Sequence, residues 1–81
     1  MRVVLSPLAL EASEAAPAAV RKAFFKQLEL LVQNPRHPSL RAKRFEEGRN
    51  FWQARVNRDW RFYFAIEDDT YRILKLTAHP K

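Results

Sequence analysis

Seven residues of this chain have the types that act on a phosphodiester without a metal: Gln53, Arg55, Arg61, Tyr63, Lys75, His79 and Lys81. Cleavage of RNA by its own 2′-hydroxyl needs a base for that hydroxyl, cations for the pentavalent phosphorane, and an acid for the departing 5′-oxygen. Arginine suits the second task, being permanently charged and bidentate toward phosphate oxygens. That assigns Arg55 and Arg61 to the phosphate. His79, with Lys81 or Lys75, is the candidate for moving protons. Tyr63 has a ring to stack on a base or a hydroxyl to bond it. Each has a plainer use: a terminal His before Pro on the surface, a lysine for solubility, a tyrosine covering a sheet. The two arginines are the strongest, because arginine in mid-sheet has little structural reason to be there. Other chemistries find no support. There is no cysteine and one glycine, hence no thiolate metal site and no glycine-rich phosphate loop. One histidine without carboxylates on the same face makes neither a metal centre nor a paired-carboxylate hydrolase.

What must position these groups is the stretch Phe51 to Ile66, FWQARVNRDWRFYFAI. Trp52, Ala54 and Val56 alternate with Gln53 and Arg55. Trp60, Phe62, Phe64 and Ile66 alternate with Arg61, Tyr63 and Ala65. Both patterns have the period of a half-buried strand. Setting Val56 across from Trp60 leaves the loop Asn57-Arg58-Asp59, of a common hairpin length. That register puts Arg55 opposite Arg61, a like-charge pair unfavourable by some tenths of a kcal/mol, roughly. An anion held between them would remove the cost. From Tyr71 to Ala78 a last strand is expected, with Leu74, Leu76 and Ala78 pairing with Phe64, Phe62 and Trp60. The open face then receives Ile73, Lys75, Thr77 and, at its edge, His79 and Lys81.

Arg2 to Leu5 reads as a first strand. Ser6-Pro7 starts a short helix carrying Leu8, Leu10 and Ala12. Pro17 opens a longer helix to about Gln33, in which Val20, Phe24, Leu28 and Leu31 form one core stripe, widened by Phe25 and Val32. Asn34-Pro35 ends it. The connection RHPSLRAKRFEEGRN has a turn of helix or a strand around Leu40 to Phe45, pinned to the core by those two residues. Net charge is +6. Between Arg36 and Arg61 there are eight Lys or Arg against three acids, so a local excess of five falls in this window. Such a concentration favours a polyanionic partner, with Arg41, Lys43, Arg44 and Arg58 rimming the sheet as RNA-binding residues. No start pattern suggests a signal peptide and no apolar run spans a membrane. The expectation is one soluble, cytoplasmic domain over 1–81.

The helix end LxLLVQNPRHPSLRAKRF, the hairpin with Trp52-x-x-Arg55-Val56 and Trp60-Arg61-Phe62, and the ending YRILKLTAHPK resemble the RelE/ParE superfamily of bacterial type II toxins over nearly the whole chain. The resemblance implies an α+β fold, two amino-terminal helices packed on one face of a small, mainly antiparallel β-sheet. It implies a cognate acidic antitoxin as partner, joined to the toxin in a hetero-oligomer. RelE-like members are mRNA endonucleases acting without metal or cofactor, typically on the ribosome, and so inhibit translation. ParE-like members poison DNA gyrase instead, and a catalytically inactive RNA- or ribosome-binding relative is the third possibility. RelE-type members carry Lys-x-Lys on the second strand of the sheet, where this chain has Gln53 and Arg55. The arginine of the next strand is present as Arg61. The late basic residue falls near His79 or Lys81. Many relatives carry a stacking tyrosine on a further helix; against that pattern the stacking residue is either missing here or replaced by Tyr63.

Overall fold

Ser6 starts the helical layer and also fastens it to the sheet. Its hydroxyl accepts from the Ala9 N–H at 3.1 Å and donates to the Leu74 carbonyl at 2.9 Å. The structure, a computed structural model, describes residues 1–46 and 50–78. The elements run β1 (Arg2–Leu5), α1 (Pro7–Ala15), α2 (Ala18–Gln33), a 3-10 turn (Pro38–Leu40), β2 (Lys43–Glu46), β3 (Phe51–Arg55), β4 (Trp60–Glu67) and β5 (Thr70–Ala78). The sheet order is β1-β5-β4-β3-β2. β1 lies parallel to β5 and every other pairing is antiparallel. This is the RelE-like α+β arrangement that the sequence led us to expect.

The core lies between the helices and one face of the sheet. Val20, Phe24, Leu28 and Leu31 are buried there with Phe62, Phe64, Ile73 and Leu76. Phe24 meets Phe62 edge-on, ring centres 5.6 Å apart. Phe25 and Val32 do not widen the stripe; both are exposed. Successive helical residues point about 100° apart, so neither shares the face of its buried neighbour Phe24 or Leu31. On α1 the buried positions are Ala9 and Ser13, while Leu8 and Leu10 face out. Small residues there let α1 approach the sheet closely.

The last strand departs from strict alternation. Trp60 pairs with Ala78 and Phe62 with Leu76 as expected, but Phe64 pairs with Ile73, with a register shift after Tyr63. Leu74 is the extra residue. It joins Lys75 on the open face, and Ile73 turns into the core. The bulge leaves the Leu74 carbonyl outside the ladder, and Ser6 supplies its donor. Ser6→Ala therefore removes a helix cap worth about 0.5–2 kcal/mol and strands a carbonyl besides. Denaturant unfolding should show a loss of at least about 1 kcal/mol; an unchanged midpoint would mean that neither bond matters.

Leu40 is fully buried and pins the connection as expected, but Phe45 is 55% exposed. It stands on the open face against Tyr63, ring centres 4.7 Å apart. Among the described residues no helix is long and apolar enough to cross a membrane.

Candidate functional site

Strand pairing sets the site. β3 and β4 pair in the register that puts Arg55 directly across from Arg61 and Gln53 across from Tyr63. The Val56 N–H bonds the Trp60 carbonyl at 3.0 Å and closes the ladder. Asn57 then builds the loop. Its side-chain oxygen accepts from the N–H groups of Asp59 (2.9 Å) and Trp60 (3.0 Å), the local bonding that makes Asn a turn former.

The Asn57 backbone carbonyl has a second role. It accepts from Arg55 Nε at 3.2 Å and from Arg61 Nη1 at 2.7 Å. Arg61 Nη1 also reaches the Trp60 carbonyl at 2.9 Å and the Arg58 carbonyl at 3.4 Å. Two like charges are thus gathered at one loop by carbonyl dipoles. Among the described residues the ion pair present is Arg72–Glu67, on exposed side chains, and no described carboxylate is paired with either arginine. Both are partly buried. With Arg41, Lys43 and Gln53 they line a hollow of about 290 Å³ on the open face, with no acid among the described residues of its wall.

Arg41 reaches this hollow through an unusual backbone. It ends the 3-10 turn in the left-handed conformation at φ 46°, ψ 43°, its N–H bonded to the Pro38 carbonyl. For an L-residue with a side chain that conformation costs roughly 1–2 kcal/mol, and such strain concentrates at functional sites.

The other expected residues divide. Lys43 pairs with Gln53 and belongs to the hollow. Tyr63 lies beside it but is already engaged: Gln53 Nε2 donates to its hydroxyl at 2.9 Å, Phe45 packs on its ring, and Lys75 Nζ lies 5.0 Å from the ring centre. Lys75 is thereby brought to the apolar hollow of Phe45, Phe51, Tyr63 and Leu74, not to the arginine pair. Arg44 departs from expectation. It pairs with Trp52 on the helix-bearing face, its guanidinium 5.5 Å from the Trp52 ring centre, because alternation in β2 sends it opposite to Lys43. Arg58 sits on the exposed loop tip, facing α2. His79 and Lys81 lie outside the described residues.

Three residues with a part in the site escaped the sequence reading. Phe45 is the exposed ring beside the cationic hollow. Asn57 orients both arginines through its carbonyl. Gln27, on α2, is buried and donates from Nε2 to the Arg55 carbonyl at 2.9 Å and the Ser39 carbonyl at 3.3 Å. Among the described residues no three His, Cys, Asp or Glu side chains come together where they could hold a metal ion.

Several solved structures share this fold. The YoeB/ParE toxin from Agrobacterium tumefaciens is 12% identical, with a TM-score of 0.82 covering 99% of this chain and 100% of that one. RelE in the archaeal RelE–RelB complex from Pyrococcus horikoshii is 21% identical, at TM-score 0.82 over 99% and 96%. The toxin–antitoxin complex RelBE2 from Mycobacterium tuberculosis contributes a chain 18% identical, at TM-score 0.78 over 96% of each. No family model matches the sequence, and no curated protein matches it significantly.

Proposed function

We propose that this chain, which has the fold of the RelE/ParE toxins, is the toxin of a type II toxin–antitoxin pair and cleaves mRNA without a metal, on the ribosome. The observation that carries the reading is the cross-strand pair Arg55–Arg61, held at one loop carbonyl in a hollow with no carboxylate among the described residues of its walls. Such fixed cations act where charge develops in the transition state.

In the proposed reaction the 2′-hydroxyl loses its proton to a base and its oxygen attacks the adjacent phosphorus. The bond from phosphorus to the 5′-oxygen breaks, and an acid returns a proton to that oxygen. The products are a 2′,3′-cyclic phosphate and a 5′-hydroxyl. Arg55 and Arg61 hold the non-bridging oxygens. Arg41 and Lys43 hold flanking charge, and Gln53 orients Tyr63. His79, with Lys81, is proposed to carry the protons. If His79 does so, His79→Ala should lower the cleavage rate and flatten its pH dependence near neutrality; a parallel, unflattened profile would remove it from proton transfer.

The partner is proposed to be an acidic antitoxin. The RelE and RelBE2 neighbours were solved in complexes of that kind, and the basic excess here offers complementary charge. Its binding would add stability to the toxin by mass action.

Primer extension on cellular mRNA after induction of this chain tests the function. Cuts in translated messages, suppressed by co-expressed antitoxin, are expected. Intact messages with gyrase-linked DNA breaks would replace the nuclease by a gyrase poison. Intact messages with slowed translation would leave a ribosome-binding protein without chemistry.

A further inference from the structure

A second hollow adjoins the one at the arginine pair. It has a volume of about 500 Å³ and lies between α2, the 3-10 turn and the β3–β4 loop. Four cations converge on it, Lys26, Arg41, Arg55 and Arg58, and the described residues of its walls include no acid. Arg41 and Arg55 also line the sheet-face hollow, so the two are joined across these side chains into one basic groove. None of the four is paired with a carboxylate among the described residues. Mutual repulsion at one place is stable only if an anion or the solvent screens it.

The walls are fixed before any ligand arrives. Gln27 is 7% exposed and its Nε2 ties the Arg55 and Ser39 carbonyls to α2. Two walls of the hollow are thereby held at a set separation. Arg41 is held in its left-handed conformation by the 3-10 turn. A neighbouring cavity shares Pro38 and Arg41 with this hollow and carries Arg36 at its wall, but its floor is apolar, formed by Trp52, Phe64 and Tyr71. An acidic peptide helix would seek that apolar floor. A nucleic-acid backbone seeks repeated cations along a track.

We infer that this second hollow is a phosphate subsite for the nucleotide next to the scissile one, with Lys26 and Arg58 as its new contacts and Arg41 and Arg55 shared. It deepens the nuclease reading and rests on it for the identity of the ligand as single-stranded RNA. The strand would leave the sheet face past Arg41 and Arg55 and turn onto the side of α2. Gln27 is the positioning residue of the track.

The test is fluorescence anisotropy of the full chain with single-stranded RNAs methylated at every 2′-oxygen, so that binding is read without cleavage. Lys26→Ala and Arg58→Ala are exposed substitutions that leave the core intact. Each should make the dependence of log affinity on log salt shallower by about 0.7 for an oligonucleotide, the value for one phosphate contact on a single strand. Lys26→Arg should restore the slope. A dinucleotide, too short to reach the second hollow, should bind both alanine variants as it binds the wild type. Oligonucleotide slopes unchanged in both variants, with dinucleotide binding intact, would overturn the subsite and spare the arginine-pair site. Loss of binding to a polyglutamate peptide, with RNA binding unchanged, would overturn it in favour of a protein partner. A wild type that binds neither RNA would remove the site reading itself. Shallower slopes in a protein that never cleaves would uphold the subsite while removing the nuclease.

Discussion

Arg61→Ala is expected to slow single-turnover RNA cleavage on the order of a hundred-fold or more, with a far smaller effect on RNA binding. The asymmetry follows from where the group acts. Arg61 Nη1 is already held by the carbonyls of Asn57, Trp60 and Arg58, so little reorganisation is needed as charge builds on the phosphorane. A lysine at this position keeps the charge but loses the fork that grips two oxygens, and should recover only part of the rate. Arg41→Ala should behave in the opposite way, with weaker and less salt-sensitive binding and little change in the chemical step. Circular dichroism of Arg61→Ala must match wild type, since the substitution also frees the Asn57 carbonyl. Equal single-turnover rates for wild type and Arg61→Ala would leave the hollow as a binding surface.

Phe24→Ala is expected to cost about 3–5 kcal/mol, the usual range for a fully buried ring. Phe24 has no exposed surface and packs edge-on against Phe62, which has none either. Domains of this size have total stabilities of about 5–15 kcal/mol, so the variant should be largely unfolded near body temperature and recoverable by a bound partner. Chemical unfolding monitored by tryptophan fluorescence reads the loss directly. A change below about 1 kcal/mol would mean that the helix–sheet interface relaxes around the gap.

The hairpin was legible because alternation and turn chemistry agreed. Trp52-Ala54-Val56 and Trp60-Phe62-Phe64 fixed the buried face, and Asn57-Arg58-Asp59 fixed the loop, so the pairing of Arg55 with Arg61 followed from parity alone. The α2 stripe was legible for the same reason at helical period. The bulge in β5 was not. Ile73-Leu74 are two apolar neighbours in an otherwise alternating strand, which is the mark a bulge leaves, but either residue could have been the one turned inward. The deciding bonds come from Ser6, sixty-eight positions away in sequence. Gln27 was hidden because a polar residue between Lys26 and Leu28 reads as solvated helix surface; its partners are two backbone carbonyls that no pattern announces. Phe45 was assigned to the core on its hydrophobicity, yet alternation from Lys43 puts it on the open face, against Tyr63. Arg44 lost its place at the rim through alternation in the same short strand.

Metal-independent cleavage at the Arg55–Arg61 pair is tested most directly by the chemistry of the RNA ends. The purified protein is mixed with programmed ribosomes, with EDTA in excess over contaminating transition metals but below the magnesium that keeps the subunits joined. New fragments ending in a 2′,3′-cyclic phosphate and beginning with a 5′-hydroxyl are expected, at a rate indifferent to the chelator. Uncut message, or fragments that carry a 5′-phosphate and vanish with chelation, would contradict it.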